Sequence, residues 1–190
     1  MLYFMLLIPA AYIAGSINFA IILFKLLGKE DPRDSFSGNA GTTNVYRLAG
    51  IQWAVVVLVL DIGRAVGVAF AALYFLSLES TPWIALALIV GNRFPCFHGF
   101  KGGKGVANFL GFTAIIAPIA AGLSALTWVA VYLVFRKSFI GSFFMVTVMG
   151  VGIIIKTGPT PIALSGVLAV VLFIYANHKK NVVELLQGPL

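Results

Sequence analysis

Long apolar runs separated by short polar stretches dominate this chain. Runs near 3–25, 50–77, 82–97, 105–121, 123–136, 139–156 and 161–177 predict seven helical membrane spans. Several are short. The stretch Gly105 to Phe135 reads in two ways, as two thin spans broken near Pro118 or as one long tilted helix, which would lower the count to six or five. The predicted fold class is therefore an all-α polytopic membrane protein, with about seven transmembrane helices and short cytoplasmic substrate-binding loops.

Composition sharpens this picture. The 190 residues are 61% hydrophobic and 10% charged, with a mean hydropathy of +1.03, whereas soluble domains are about 45–50% apolar and about 25% charged. No room remains for a separate soluble domain, so residues 1–190 are expected to form a single integral membrane domain. The first run, Leu2 to Phe24, lacks a basic lead and a small-residue cleavage site and is too long for a signal-peptide core; it is expected to stay as a transmembrane helix. The single cysteine, Cys96, excludes an intramolecular disulfide and any multi-cysteine metal site, and is expected to be a small buried apolar residue.

Charge then sets a topology. With seven spans and the N-terminus outside, Lys25, Lys29, Arg33, Arg47, Arg93, Lys101, Lys104, Arg136, Lys137, Lys179 and Lys180 all fall on the cytoplasmic side. Lys156 lies outside and Arg64 within a span. Eleven of thirteen basic residues on one side satisfy the positive-inside bias, so the C-terminus is expected in the cytoplasm.

The basic side also carries unusual loops. The first, KEDPRDSFSGNAGTTNVYRLAG (Lys29 to Gly50), is too rich in Gly, Asn, Ser and Thr to be a mere connector. Another, FHGFKGGKGVA (Phe97 to Ala107), sets Lys101, Gly102, Gly103, Lys104 and Gly105 directly before an apolar helix. Unpaired N–H groups and the macrodipole make such a helix start an anion site. Topology and anionic lipid explain lysines, but not the Gly-Gly between them; positive φ at Gly102 and Gly103 would let backbone N–H groups approach a phosphate. A Walker A loop is absent.

Two further features stand out. Asp61 and Arg64, three apart in the run VLVLDIGRAVGVAF, share a helix face and can pair; intramembrane charge of this kind is either a structural ion pair or part of a site. His178 and Asn181 share a face at the end of the last run, in YANHKKN.

These residues resemble a known family. Loop one reads like S-G-N-x-G-[AT]-T-N-[VL]-x-R, and the glycine stretch like G-[HN]-x-x-P-x-F-x-x-F-x-G-G-K-G-V-A, of the bacterial membrane glycerol-3-phosphate acyltransferases that use an acyl-phosphate donor. An intramembrane Asp between the two motifs, the basic step at Arg136 to Ser142 and a terminal H-x-x-N complete the likeness. The resemblance implies transfer of a fatty acyl group from acyl phosphate to glycerol 3-phosphate, giving lysophosphatidic acid and phosphate, the first acylation of phospholipid biosynthesis at the inner membrane. The family usually has Gly at Phe36, His at Asn92 and Lys-Gly at Arg64 and Ala65. Asn92 therefore removes any essential histidine base at that position, and His98 falls where the family tends to have an apolar or aromatic residue.

The inventory suits such chemistry. There is no G-x-S-x-G elbow, no His-x4-Asp and no evident partner for Cys96. Acyl phosphate is already activated, so the protein must place two phosphorylated substrates and relieve charge on the leaving phosphate. Ser37, Gly38, Asn39, Gly41, Thr42, Thr43 and Asn44 with Arg47, and Lys101, Gly102, Gly103 and Gly105 with Lys104, are assigned to the two phosphates. Asp61 and Arg64 are expected to reach the same site. Ser35, Ser142, His178 and Asn181 are candidates for orienting glycerol. Lys104, Arg47, His178, Asn181 and Ser142 form the expected catalytic set. The proton acceptor stays open between His178, Asp61 and a substrate phosphate oxygen. Phe109, Phe143 and Phe144 are candidates to line an acyl groove. No metal, cofactor or nucleic acid is expected; the partners are the two substrates and membrane lipid, and the chain is expected to act as a monomer. The alternative is a small transporter of phosphate esters or anions, although neither loop has a second copy. Phosphoalcohol transferases would need clustered aspartates, and Asp61 is alone in the spans.

Overall fold

A computed structural model describes residues 1–187, so the last three residues of the expected 1–190 domain lie outside the described residues. Each of the seven apolar runs forms helix. The first is interrupted: α1 (Leu2–Ser16) and α2 (Phe19–Leu26) are separated by Ile17 and Asn18, both extended. Asn18 makes the break by capping α2, its Oδ1 accepting from Ile21 N–H at 3.1 Å, while its amide donates to Ala40 O in loop one at 3.2 Å. Loop one is not wholly irregular, because Thr42–Ala49 forms a short helix, α3, before α4 (Ile51–Phe75).

Helix lengths differ. α4 has 25 residues and spans about 37 Å at 1.5 Å per residue, more than the hydrocarbon core of about 30 Å. By contrast α5 (Thr81–Arg93) and α6 (Val106–Ile116) have 13 and 11 residues. At Ala117 the chain leaves helical geometry (φ −141°) and α7 (Pro118–Phe135) begins, so the stretch from Gly105 to Phe135 is two helices. Pro118 is the cause: it lacks an N–H and pushes the preceding residue toward extended geometry. α8 (Ser138–Thr157), α9 (Pro161–Ala176) and α10 (Lys179–Gln187) follow, with a bend of 46° between the last two. Among the described residues four helical segments, counting α1 with α2, have the length and apolarity to cross a membrane, or five if α9 with α10 is one span.

α1 lies along α5, α4 along α6, and α7 along α8. The fully buried Ile84, Leu88, Phe109, Phe112, Met149, Ile153, Val170 and Ile174 fill the centre, while Leu2, Ile119, Val134 and Ile155 face outward, as lipid-facing residues do. Four polar connections meet at one end of the bundle. Arg33 of loop one donates to His98 O at 2.6 Å and Lys101 O at 2.9 Å, and Asn177, after α9, donates to Lys104 O at 3.3 Å. Cys96 is exposed there rather than buried, because the chain between α5 and α6 turns outward; its N–H donates to Ser16 Oγ at 3.3 Å.

Candidate active site

A cavity of about 370 Å³ opens where these connections converge. Its mouth is polar. Ser37, Asn39, Gly41, Thr42, Thr43, Asn44 and Arg47 come from loop one and α3; Gly103, Lys104 and Gly105 from the glycine stretch; Ser142 from α8, His178 from the turn after α9 and Asn181 from α10. The rest of the lining is largely apolar, with Leu58, Leu110, Trp128, Val129 and Met145, and Asp61 also on the wall.

The starts of α3 and α6 both face this space. Their first N–H groups have no intrahelical partner, and Thr42 Oγ1 is buried without one. Each helix begins after a glycine, Gly41 or Gly105. Gly105 takes φ +92°, left-handed geometry that a β-carbon disfavours, and a β-carbon there would run into Ile89.

Lys104 reaches across to donate to Asn181 Oδ1, fixing its ammonium at the mouth. Burial, then the charge of Arg93, push its pKa down to about 8. Neither Lys104 nor Arg47 has an ion pair among the described residues, so both cations are available to an anion. His178 is buried, and its Nδ1 lies 2.8 Å from Ile174 O. A carbonyl only accepts, so Nδ1 carries the proton and Nε2 keeps a lone pair. Burial, with the charge of Lys104 next, push its pKa down to about 4, so His178 is neutral. Ser142 Oγ donates to Ser138 O in its own helix at 3.1 Å.

Some expected residues stand back from the cavity. Ser35 and Gly38 shape the turn before α3, and the carbonyl of Ser35 accepts from Asn44 at 3.2 Å. Lys101 is exposed and contributes its carbonyl to Arg33. Gly102 and Gly103 do not adopt the positive φ that the sequence suggests. They are glycines for want of space: a β-carbon on Gly102 would strike Asn92 O, and one on Gly103 would lie 2.8 Å from Asn92 Nδ2 and 3.0 Å from Ala40 O. Arg64 lies behind the wall, paired with Asp61 at 2.8 Å. Nor do the expected phenylalanines line the groove. Phe109 is fully buried, Phe144 points outward, and Phe143 packs on Tyr175 and His178.

Two further residues, Asn92 and Asn108, belong to the site although no motif marks either as a site residue. Both line the cavity, nearly fully buried. The signal for Asn108 was a polar side chain in the apolar run from Val106 to Ile116.

Comparison with known proteins agrees with this geometry. The family model for glycerol-3-phosphate acyltransferase matches residues 5–188. A glycerol-3-phosphate acyltransferase of Anaeromyxobacter sp. (strain K) is 40% identical, over 96% of this chain and 94% of its own. One of Pseudomonas fluorescens (strain Pf0-1) is 35% identical over 97% of each. Among solved structures, PlsY (YgiH), an integral membrane glycerol 3-phosphate acyltransferase, superposes in its glycerol 3-phosphate form with a TM-score of 0.89 at 32% identity, covering 97% of this chain and 92% of that one. Its lysophosphatidic acid form gives 0.87 at 31%, with the same coverage. A polar, cation-lined mouth over an apolar pocket in an all-helical membrane bundle, matched along nearly its whole length, places this chain in the glycerol-3-phosphate acyltransferase family.

Proposed function

We propose that the protein transfers a fatty acyl group from acyl phosphate to the hydroxyl of glycerol 3-phosphate, giving lysophosphatidic acid and phosphate. The observation that carries this reading is that Arg47, Lys104 and two helix N-termini share one cavity with an apolar wall. Two phosphorylated substrates repel each other, and this mouth offers enough positive charge to hold both. The acyl chain lies in the apolar zone among Leu58, Leu110, Trp128 and Met145.

The chemistry needs no acyl-enzyme. The glycerol hydroxyl oxygen attacks the acyl carbon, the bond from that carbon to the phosphate oxygen breaks, and the electron pair leaves on phosphate. His178 Nε2 accepts a hydrogen bond from glycerol, but a group with a pKa of about 4 is a weak base. Asp61 is engaged with Arg64. A phosphate dianion, with a second pKa of about 6, is the better proton acceptor. Lys104 and Arg47 stabilise the charge that develops on the leaving group.

Ten of the thirteen basic residues lie in or beside the four connections at the cavity end, and Arg47 is in α3 beside them. The positive-inside bias then puts the mouth and the C-terminus in the cytoplasm and the N-terminus outside, at the inner membrane. The chain is read as a monomer acting as one membrane domain.

The test is to give purified protein in detergent glycerol 3-phosphate with either acyl phosphate or an acyl thioester, and to measure lysophosphatidic acid and phosphate. Product from acyl phosphate supports the reading. Product from the thioester alone would overturn the donor. Glycerol 3-phosphate uptake into sealed vesicles without acylation would make the protein a transporter.

A further inference from the structure

Arg64 is the hub of a buried polar cluster behind the cavity wall. Besides Asp61, its guanidinium donates to Asn108 Oδ1 at 2.6 Å and Asn92 Oδ1 at 3.3 Å, and to the carbonyls of Ile17 and Gly15 (3.3 Å), which the break between α1 and α2 leaves free. Arginine has donors only, so the atom each asparagine turns toward it must be oxygen. Each amide nitrogen must then point away from Arg64. Neither Asn92 Nδ2 nor Asn108 Nδ2 has a hydrogen-bond partner among the described residues, and neither is sealed from solvent. Both residues line the cavity.

Two buried amides with unspent N–H donors thus line the cavity, Asn92 Nδ2 lying beside Gly103 of the glycine stretch. On the proposed function, which this inference rests on, the acyl phosphate's carbonyl links its phosphate to its apolar chain and so lies in this cavity between the cations and the apolar wall. We propose that the Asn92 and Asn108 amides, aimed by Arg64, hydrogen-bond that carbonyl oxygen and hold it as it becomes an oxyanion. As the glycerol oxygen adds to the carbonyl carbon, the π electron pair moves onto this oxygen; it returns when the bond to phosphate breaks. Donors fixed in advance in a buried site stabilise such charge without reorganising. Arg64 is the positioning residue, and Asn92 and Asn108 touch the substrate. Arg64 and Asn92 are also two of the positions at which this chain departs from the motifs it resembles, and here they are bonded to each other.

The test uses Asn108→Asp, Asn92→Asp and Arg64→Lys in the full chain. An aspartate keeps an oxygen for Arg64 and loses the N–H donors. Either should lower kcat about 100-fold or more while KM for glycerol 3-phosphate and the melting temperature hold. Arg64→Lys leaves both amides present but replaces the planar fork that spans these acceptors with one compact ammonium, so kcat should fall again. Combining Arg64→Lys with Asn108→Asp should cost little beyond the worse single change, since both act on one interaction. Full kcat in both aspartate variants, or a raised KM at unchanged kcat, overturns the proposal. So does loss of folding in both aspartate variants, which would make the amides structural. If wild type uses a thioester instead of acyl phosphate, the donor falls but the same variants on that donor still decide. A wild type that transfers no acyl group sinks both readings.

Discussion

Gly103 and Asn92 touch so closely that no side chain fits between them: a β-carbon on Gly103 would stand 2.8 Å from Asn92 Nδ2. Asn92 cannot swing away without leaving Arg64, and Ala40 O closes the other side at 3.0 Å. Gly103→Ala changes no charge, yet it must displace the loop that carries Lys104. A displacement near 1 Å lowers rates by about 100-fold, and that is the expected loss in kcat/KM. Steady-state assay beside thermal stability checks it, and full activity would remove the packing argument.

Lys104 and Lys101 separate site charge from surface charge. Lys104→Ala should abolish most activity while the protein still folds. Lys101→Ala, exposed and outside the cavity, should stay near wild type. Equal losses would mean that the loop acts only through its summed field.

Arg47→Ala should lose activity similarly, with Arg47→Lys a partial rescue, because an ammonium cannot reproduce a two-pronged contact with phosphate. Complete rescue in KM and kcat would assign Arg47 a long-range role.

The lowered pKa of Lys104 predicts a pH profile. Its ammonium is the form that binds phosphate, so kcat/KM for glycerol 3-phosphate should fall as pH rises through about 8, where Lys104 loses its proton. It should rise through about pH 6 as the substrate becomes a dianion. His178, neutral down to about 4, adds no step between. A plateau reaching about pH 10, the ordinary lysine range, would detach Lys104 from substrate binding.

Arg33 tests how the loops are held together. Clamped by Asp31 at 2.6 and 2.8 Å, it joins loop one to the glycine stretch through His98 O and Lys101 O. Arg33→Gln should raise KM for glycerol 3-phosphate without touching the cavity, and Arg33→Lys should not restore it. An unchanged KM would show that the loops align without the clasp.

The elements that local pattern controls were legible in the sequence. Apolar runs form helices, Pro118 breaks the stretch from Gly105 to Phe135, one of the two readings that stretch allows, and Asp61 and Arg64 pair three residues apart. The short helix in loop one was hidden by its length: Val45, Leu48 and Ala49 keep helical spacing for barely two turns within a polar loop, and neighbours complete its order, Asn44 reaching back to Ser35 O. The reason for Gly102 and Gly103 was hidden as well. Their constraint is a contact with Asn92, on the helix before, which backbone preference does not encode. Asn92 and Asn108 needed Arg64 between them to acquire a direction, and that meeting of α4, α5 and α6 exists only in the folded chain.

The most direct measurement of the central claim is rapid-quench analysis with enzyme and acyl phosphate at comparable concentrations, with and without glycerol 3-phosphate. Direct transfer predicts no early phosphate release until glycerol 3-phosphate is added, then phosphate and lysophosphatidic acid one for one. A burst of phosphate equal to the enzyme present without acceptor would reveal an acyl-enzyme and contradict the account.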